Sequence, residues 1–199
     1  MVVPGNEYDN CIAIVQLGDE LALFVRGEEG FGTLYRYDAD LQEVSRMETP
    51  IDHGEVVIMA QQGDTLYCFA MYAGDWESYN VYTCDLTTGQ WADDVPFVQL
   101  PNEYCSLRKV IPWGDEMLLL VDEGDTEEHP APFGPYNWNY TDKDLYRMDA
   151  DGSLTLMADL HGDAVLVHQD DEHFTLLAKE ESGAYALCTY AAPQENPQP

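Results

Sequence analysis

The chain has 199 residues, 45% of them hydrophobic and 12% aromatic, which is enough apolar side chain for a buried core and excludes disorder as its general state. Its 38 acidic residues against 8 basic ones give a formal charge of −30 spread along the whole length, so nucleic acid and anionic membranes are poor partners. No run approaches the roughly 18 apolar residues of a membrane span, and the opening MVVPGNEYDN has neither the basic start nor the apolar stretch of a signal peptide; the compartment stays open.

Taken in chain order, the first apolar runs are CIAIVQ and ELALFVRG, separated by Gly18-Asp19. Gly and Asp tolerate the backbone angles of tight hairpins, so the pair predicts two antiparallel strands. GTLYRYDAD then reads as a third strand and LQEVSRM as a fourth. The sequence repeats this arrangement. EVVIMAQ and TLYCFAMY flank Gly63-Asp64, followed by YNVYTCDLTTG and QWADDVPFVQL. LRKVIP and EMLLLVDEG flank Gly114-Asp115, followed by KDLYRMDADG and SLTLMADL. DAVLVH and EHFTLLAKE flank Asp170-Asp171, followed by AYALCTYAAP and the Pro-rich tail QENPQP, so the last unit lacks a fourth strand.

Self-similarity at a period of about 50 residues, with several strands per unit, predicts an all-β fold: a β-propeller of about four antiparallel blades. The blades run about 1–46, 47–100, 101–160 and 161–193 in a single domain, with 194–199 a disordered tail. VVPGNEYDN resembles VQLPNEYCS, which leads from the second unit into the third, so the N-terminus is expected to supply the closing strand of the last blade. Two readings stand: a complete small ring, or the terminal part of a larger propeller that needs a partner chain at its edge.

The stretch TLYCFAMYAGDWESYNVYTCDLTTGQWADDVPFVQLP, residues 65–101, resembles a Kelch repeat, in which a strand leads into a Y-D-x-x-T-G-x-W turn and a Pro-containing exit. Cys84 stands where that family has Tyr, and Gly74 stands alone where it has two glycines. The other three units carry the general propeller layout, in the manner of bacterial propellers. The resemblance implies a fold and a habit of binding ligands, and it transfers no catalytic residue.

The connection EGDTEEHPAPFGPYNWNYTDK in the third unit is much longer than its counterparts. Its prolines restrict the backbone while Phe133, Tyr136, Trp138 and Tyr140 supply flat faces suited to sugars, peptides or another protein. Packing of these rings back over the blades is the structural alternative. Trp76, Tyr79, Tyr104 and Tyr8 belong to connections expected on the same side, so the rings would form one aromatic ligand surface.

His168 and His173 sum to 341, as do Asp170 and Asp171, which places the histidines opposite each other across the last hairpin as a candidate two-histidine, two-carboxylate metal cluster. Asp19, Asp64, Asp115 and Asp171 would gather on one face and hold calcium or another divalent cation if their carboxylates converged, although each also has a local role in its turn. Five cysteines without a CxxC spacing argue against a zinc site. A hairpin centred on Trp76 would set Cys68 opposite Cys84, as a disulfide or as two buried thiols.

No G-x-S-x-G, H-E-x-x-H, Walker or dinucleotide motif occurs, so no catalytic residue is assigned and no cofactor is required. The sequence reads as a non-catalytic binding module for protein or carbohydrate ligands. The alternative is a hydrolase or lyase with a carboxylate-lined channel.

Overall fold

A computed structural model describes residues 10–26, 31–52, 55–72, 75–102, 105–114, 116–124, 140–160, 164–169, 173–179 and 182–191. All regular structure among them is β, and it forms four antiparallel sheets taken in chain order. None of the described residues lies in a helix long and apolar enough to cross a membrane. Contacts divide the chain into two compact units, Met1–Glu103 with Ala150–Ser153, and Tyr104–Asp149 with Leu154–Pro199.

In the first unit, sheet 1 runs β1 (Asn10–Leu17), β2 (Glu20–Arg26), β3 (Phe31–Tyr37) and β4 (Glu43–Asp52), each paired with the next. Sheet 2 runs β5 (Glu55–Gln62), β6 (Thr65–Tyr72), β7 (Asp75–Asp85) and β8 (Gln90–Trp91), with β9 (Phe97–Gln99) also on β7. The hairpins close at the predicted glycines: Leu17 pairs with Glu20 around Gly18 and Gln62 with Thr65 around Gly63, at φ of 59° and 56°. A positive φ at the first of two central residues is the geometry that hairpins use to match strand twist. Both turns carry the same brace, Gln16 Nε2 donating to the Gly18 carbonyl at 3.0 Å and Gln61 Nε2 to that of Gly63 at 2.8 Å.

Alternation along the strands then decides the packing. Ala22, Phe24 and Leu34 of sheet 1 share a buried cluster with Leu66, Cys68, Ala70 and Cys84 of sheet 2. The opposite face of sheet 1 carries Leu23, Val25, Tyr35 and Tyr37, also buried.

Two sequence expectations change in sheet 2. Its last strand is interrupted, because exposed Asp93 and Asp94 precede Pro96, which has no N–H to give the ladder. The chain instead pairs as β8, leaves the ladder, and returns as β9. Cys68 pairs with Tyr82, and Cys84 with Leu66, so the two cysteines share a face diagonally and do not stand opposite each other; both thiols are free. The register differs from one centred on Trp76 because the ladder is irregular between Met71 and Tyr72.

In the second unit, sheet 3 runs β10 (Cys105–Trp113), β11 (Glu116–Gly124), β12 (Tyr140–Met148) and β13 (Leu154–Leu160). Sheet 4 has three described strands, β14 (Ala164–Gln169), β15 (His173–Lys179) and β16 (Tyr185–Ala191). Ile111, Leu118, Leu120 and Leu145 share a buried cluster with Phe174, Leu176 and Ala178. The Phe174 ring meets Trp113 edge-on at 4.9 Å and stacks on Tyr190 at 4.7 Å.

Candidate functional site

Sheet 2 carries the two surface features with the chemistry of a recognition site. At the end of β6, Tyr72 is 49% exposed, and Phe97 at the start of β9 is 44% exposed. Their rings meet edge to face, 5.8 Å apart at 87°. The backbone sets this pair: Tyr72 closes against Asp75 and Phe97 pairs with Asn80, while the Pro96 carbonyl accepts from Val81 N–H at 2.9 Å. Such a pair offers a large apolar face at small entropic cost.

At the other end of the sheet, a shallow cleft of about 280 Å³ is lined by Thr65, Thr83, Asp85, Thr88, Gln90, Trp91 and Ala92. The β7–β8 turn builds it. Asp85 Oδ1 accepts from the Thr87 and Thr88 backbone N–H groups at 2.8 and 3.0 Å, and the Asp85 carbonyl accepts from Gly89 N–H at 2.7 Å. The hydrogen bond from Thr88, followed by that from Thr87, holds the Asp85 carboxyl below its ordinary value, so it stays a carboxylate in neutral solution. Trp91 contributes ring surface, and its Nε1 is buried without an acceptor among the described residues.

Sheet 3 holds the buried charges of the second unit. Asp122, with its side chain 3% exposed, accepts from Lys143 Nζ at 2.7 Å and is bonded by Arg108 Nε. On the opposite face of the sheet, Tyr146 donates to Asp144 Oδ2 at 3.0 Å, and burial followed by the Asp144 charge raises the Tyr146 phenol well above its ordinary value. These carboxylates are held by cations and a phenol within their own sheet, as internal ion pairs are in a packed core.

The predicted site residues fall differently. Tyr79 pairs with Met71 and Val98 and is 1% exposed, so its ring belongs to the core and not to a ligand surface. Alternation puts it on the apolar face with Phe69 and Val81. Trp76 lies in β7 and Tyr140 in β12. Tyr8, Tyr104, Phe133, Tyr136 and Trp138 lie outside the described residues. The pair that sequence reading missed is Tyr72 with Phe97. Its signal was weak, because an aromatic at the end of an apolar run looks the same whether or not anything covers it.

The histidines do not oppose each other. His168 pairs with Thr175 and His173 with Ala191, because the hairpin closes at Gln169 with Phe174, the register that turns Phe174 into the core. Asp170 and Asp171 lie outside the described residues, and no group of three or more potential metal ligands occurs among the described ones. Of the hairpin acids, Asp19 and Asp64 are exposed in their turns, and Asp115 lies outside the described residues.

No protein-family model and no curated protein matches the chain. Among solved structures, it is similar to apo prolyl oligopeptidase B from Galerina marginata, with 17% identity and a TM-score of 0.52 over 89% of this chain and 24% of that one. It is also similar to a xylan beta-1,4-xylosidase from Bacillus halodurans C-125, with 14% identity and a TM-score of 0.51 over 92% of this chain and 41% of that one. The chain thus spans less than half of either structure's length. Likeness at this identity is a likeness of fold, and with the repeated antiparallel sheets it defines an all-β propeller.

Proposed function

We propose that the chain is a non-catalytic binding module of the propeller class whose ligand is a carbohydrate or a protein, held against exposed aromatic rings. The observation that carries this reading is the Tyr72–Phe97 pair, two half-exposed rings in contact on one end of sheet 2. Trp76, from the same sheet, and Tyr104 would extend the surface, and Phe133, Tyr136, Trp138 and Tyr140 would supply further rings to it. The cleft around Asp85 favours carbohydrate over protein, since hydroxyls, an amide and a carboxylate beside an indole are the groups that pair with a polyhydroxylated ligand.

Hydrolase or lyase chemistry is the second reading, and the fold likeness to a xylosidase is what favours it. Against it, the buried carboxylates Asp122 and Asp144 are engaged by Arg108, Lys143 and Tyr146.

A glycan and peptide array, followed by calorimetry with the best ligand, tests the proposal. Tyr72→Ala and Phe97→Ala should each weaken binding about tenfold or more while the fold persists. Unchanged affinity in both variants would remove the site. Turnover of xylo-oligosaccharides by the wild-type chain would favour the enzyme.

A further inference from the structure

The aromatic pair of sheet 2 has a neighbour from later in the chain. The turn Ala150–Ser153 belongs to the same compact unit as Tyr72 and Phe97. Gly152 is buried against the Phe97 backbone: a Cβ on it would stand 2.3 Å from the Phe97 carbonyl oxygen and 3.5 Å from the Phe97 nitrogen. No side chain fits between them, so the turn lies directly on the residue whose ring is half in water.

A like turn elsewhere separates two reasons for that glycine. YDADLQ between β3 and β4 and MDADGS between β12 and β13 align residue for residue, with Leu41 in the place of Gly152. Leu41 has φ of 59° and Gly152 of 87°, and the Leu41 side chain is exposed. The left-handed position of this turn thus admits a side chain, and the close approach to Phe97 is what excludes one at Gly152.

Asp151 and Ser153, on either side of Gly152, are both exposed. Consecutive Cα atoms are about 3.8 Å apart, so both residues have their Cα within about 8 Å of the Phe97 carbonyl oxygen. Asp151 Oδ1 accepts from the Ser153 hydroxyl at 2.7 Å and from the Ser153 N–H at 3.0 Å, which holds its carboxyl below the ordinary range and ionised in neutral solution. The apolar rings therefore have a fixed acceptor beside them. A hydroxyl of a sugar stacked on Phe97 can donate to that carboxylate, whereas a uronate or sulfate in the same place meets like charge.

We infer that, with Tyr72 and Phe97 as the ligand face proposed for this chain, the Asp151–Gly152–Ser153 turn is its specificity wall: Gly152 seats Phe97, and Asp151 selects neutral, hydroxyl-bearing glycans over anionic ones.

Calorimetry of the full chain with xylohexaose, cellohexaose, mannohexaose and hexagalacturonate tests this. A neutral hexamer should bind more tightly than hexagalacturonate, and Asp151→Asn should narrow that ratio about tenfold. Asp40→Asn removes the same charge from the like turn of sheet 1 and should leave the ratio unchanged, which separates a local carboxylate from the general field of a chain at −30. Gly152→Ala should weaken the neutral hexamer about tenfold, and Leu41→Ala should not; the Asp151 arm stands whether or not Gly152→Ala folds. Binding lost in Tyr72→Ala with the ratio unmoved in Asp151→Asn, or moved equally in Asp40→Asn, would overturn the specificity wall alone. Binding of none of the hexamers would overturn it too, and would leave the aromatic face to its peptide ligands. Glycan binding that survives both Tyr72→Ala and Phe97→Ala would overturn the wall and the face together.

Discussion

Cys68 and Cys84 stand on neighbouring strands two positions out of register, both inside the core that joins sheets 1 and 2, with Cys84 Sγ 3.9 Å from Met47 Sδ. Burial raises both thiols above the ordinary cysteine range, that of Cys68 furthest, and each is therefore protonated and inert in the native state.

Native thiol labelling should leave both cysteines unmodified, and full denaturation should expose them together. Reducing agent should not shift Tm. Cys68→Ala should cost about 1 kcal/mol, and Cys68→Ser about 1 to 3 kcal/mol, because the hydroxyl would be buried without a partner. Urea titrations of the two variants give the comparison. Serine as benign as alanine would mean that the site reaches water.

Asp122 should be the most sensitive charge in the second unit. Its carboxylate is 3% exposed and shared by Lys143, 16% exposed, and Arg108, 48% exposed. Asp122→Asn should destabilise by about 3 kcal/mol, because it takes the charge from a buried carboxylate that binds both Lys143 and Arg108. Arg108→Ala should cost less than about 1 kcal/mol, its guanidinium being half in water. Denaturant midpoints for the two variants check the order, and equal effects would contradict it.

The two hairpin glycines offer a conformational test free of packing. A Cβ at Gly18 or Gly63 would meet nothing within 4 Å, so replacement by alanine changes only backbone strain at φ of 59° or 56°. Each variant should lose about 1 to 2 kcal/mol. A nearly neutral Gly63→Ala would show that the turn relaxes to another type.

Acid should act through the Asp85 turn. Its folded pKa lies below the ordinary 3.8, so its contribution to stability is complete above that value and is lost as pH falls through the lower, folded one. Asp151 is lowered in the same way by the Ser153 hydroxyl and backbone. Thermal melts from pH 6 downward should show Tm falling below about pH 4, with a shallower fall in Asp85→Ala and a lower Tm at neutral pH. Parallel curves for variant and wild type would show that the carboxylate does not hold this turn.

The repeats themselves were readable because hairpin chemistry and strand alternation are local properties. Gly18, Gly63 and Gly114 mark turns by the freedom of glycine at positive φ, and runs such as ELALFV alternate between two covered faces. That information fixed an all-β chain of four antiparallel sheets.

Register belonged to the tertiary structure. The first strand of each sheet carries a bulge, at Ile12, Val57 and Arg108, each six residues before its turn glycine, and at Val167 in the last. A bulge adds one unpaired residue and turns every later side chain to the other face, and no composition signal announces it. Position sums also misjudged the partners of His168, whose hairpin closes at Gln169 with Phe174, and of Cys68, whose ladder is irregular between Met71 and Tyr72. Whether an aromatic is covered is non-local as well: Tyr79 and Phe97 look alike in the chain, yet neighbouring strands bury one and leave the other in water.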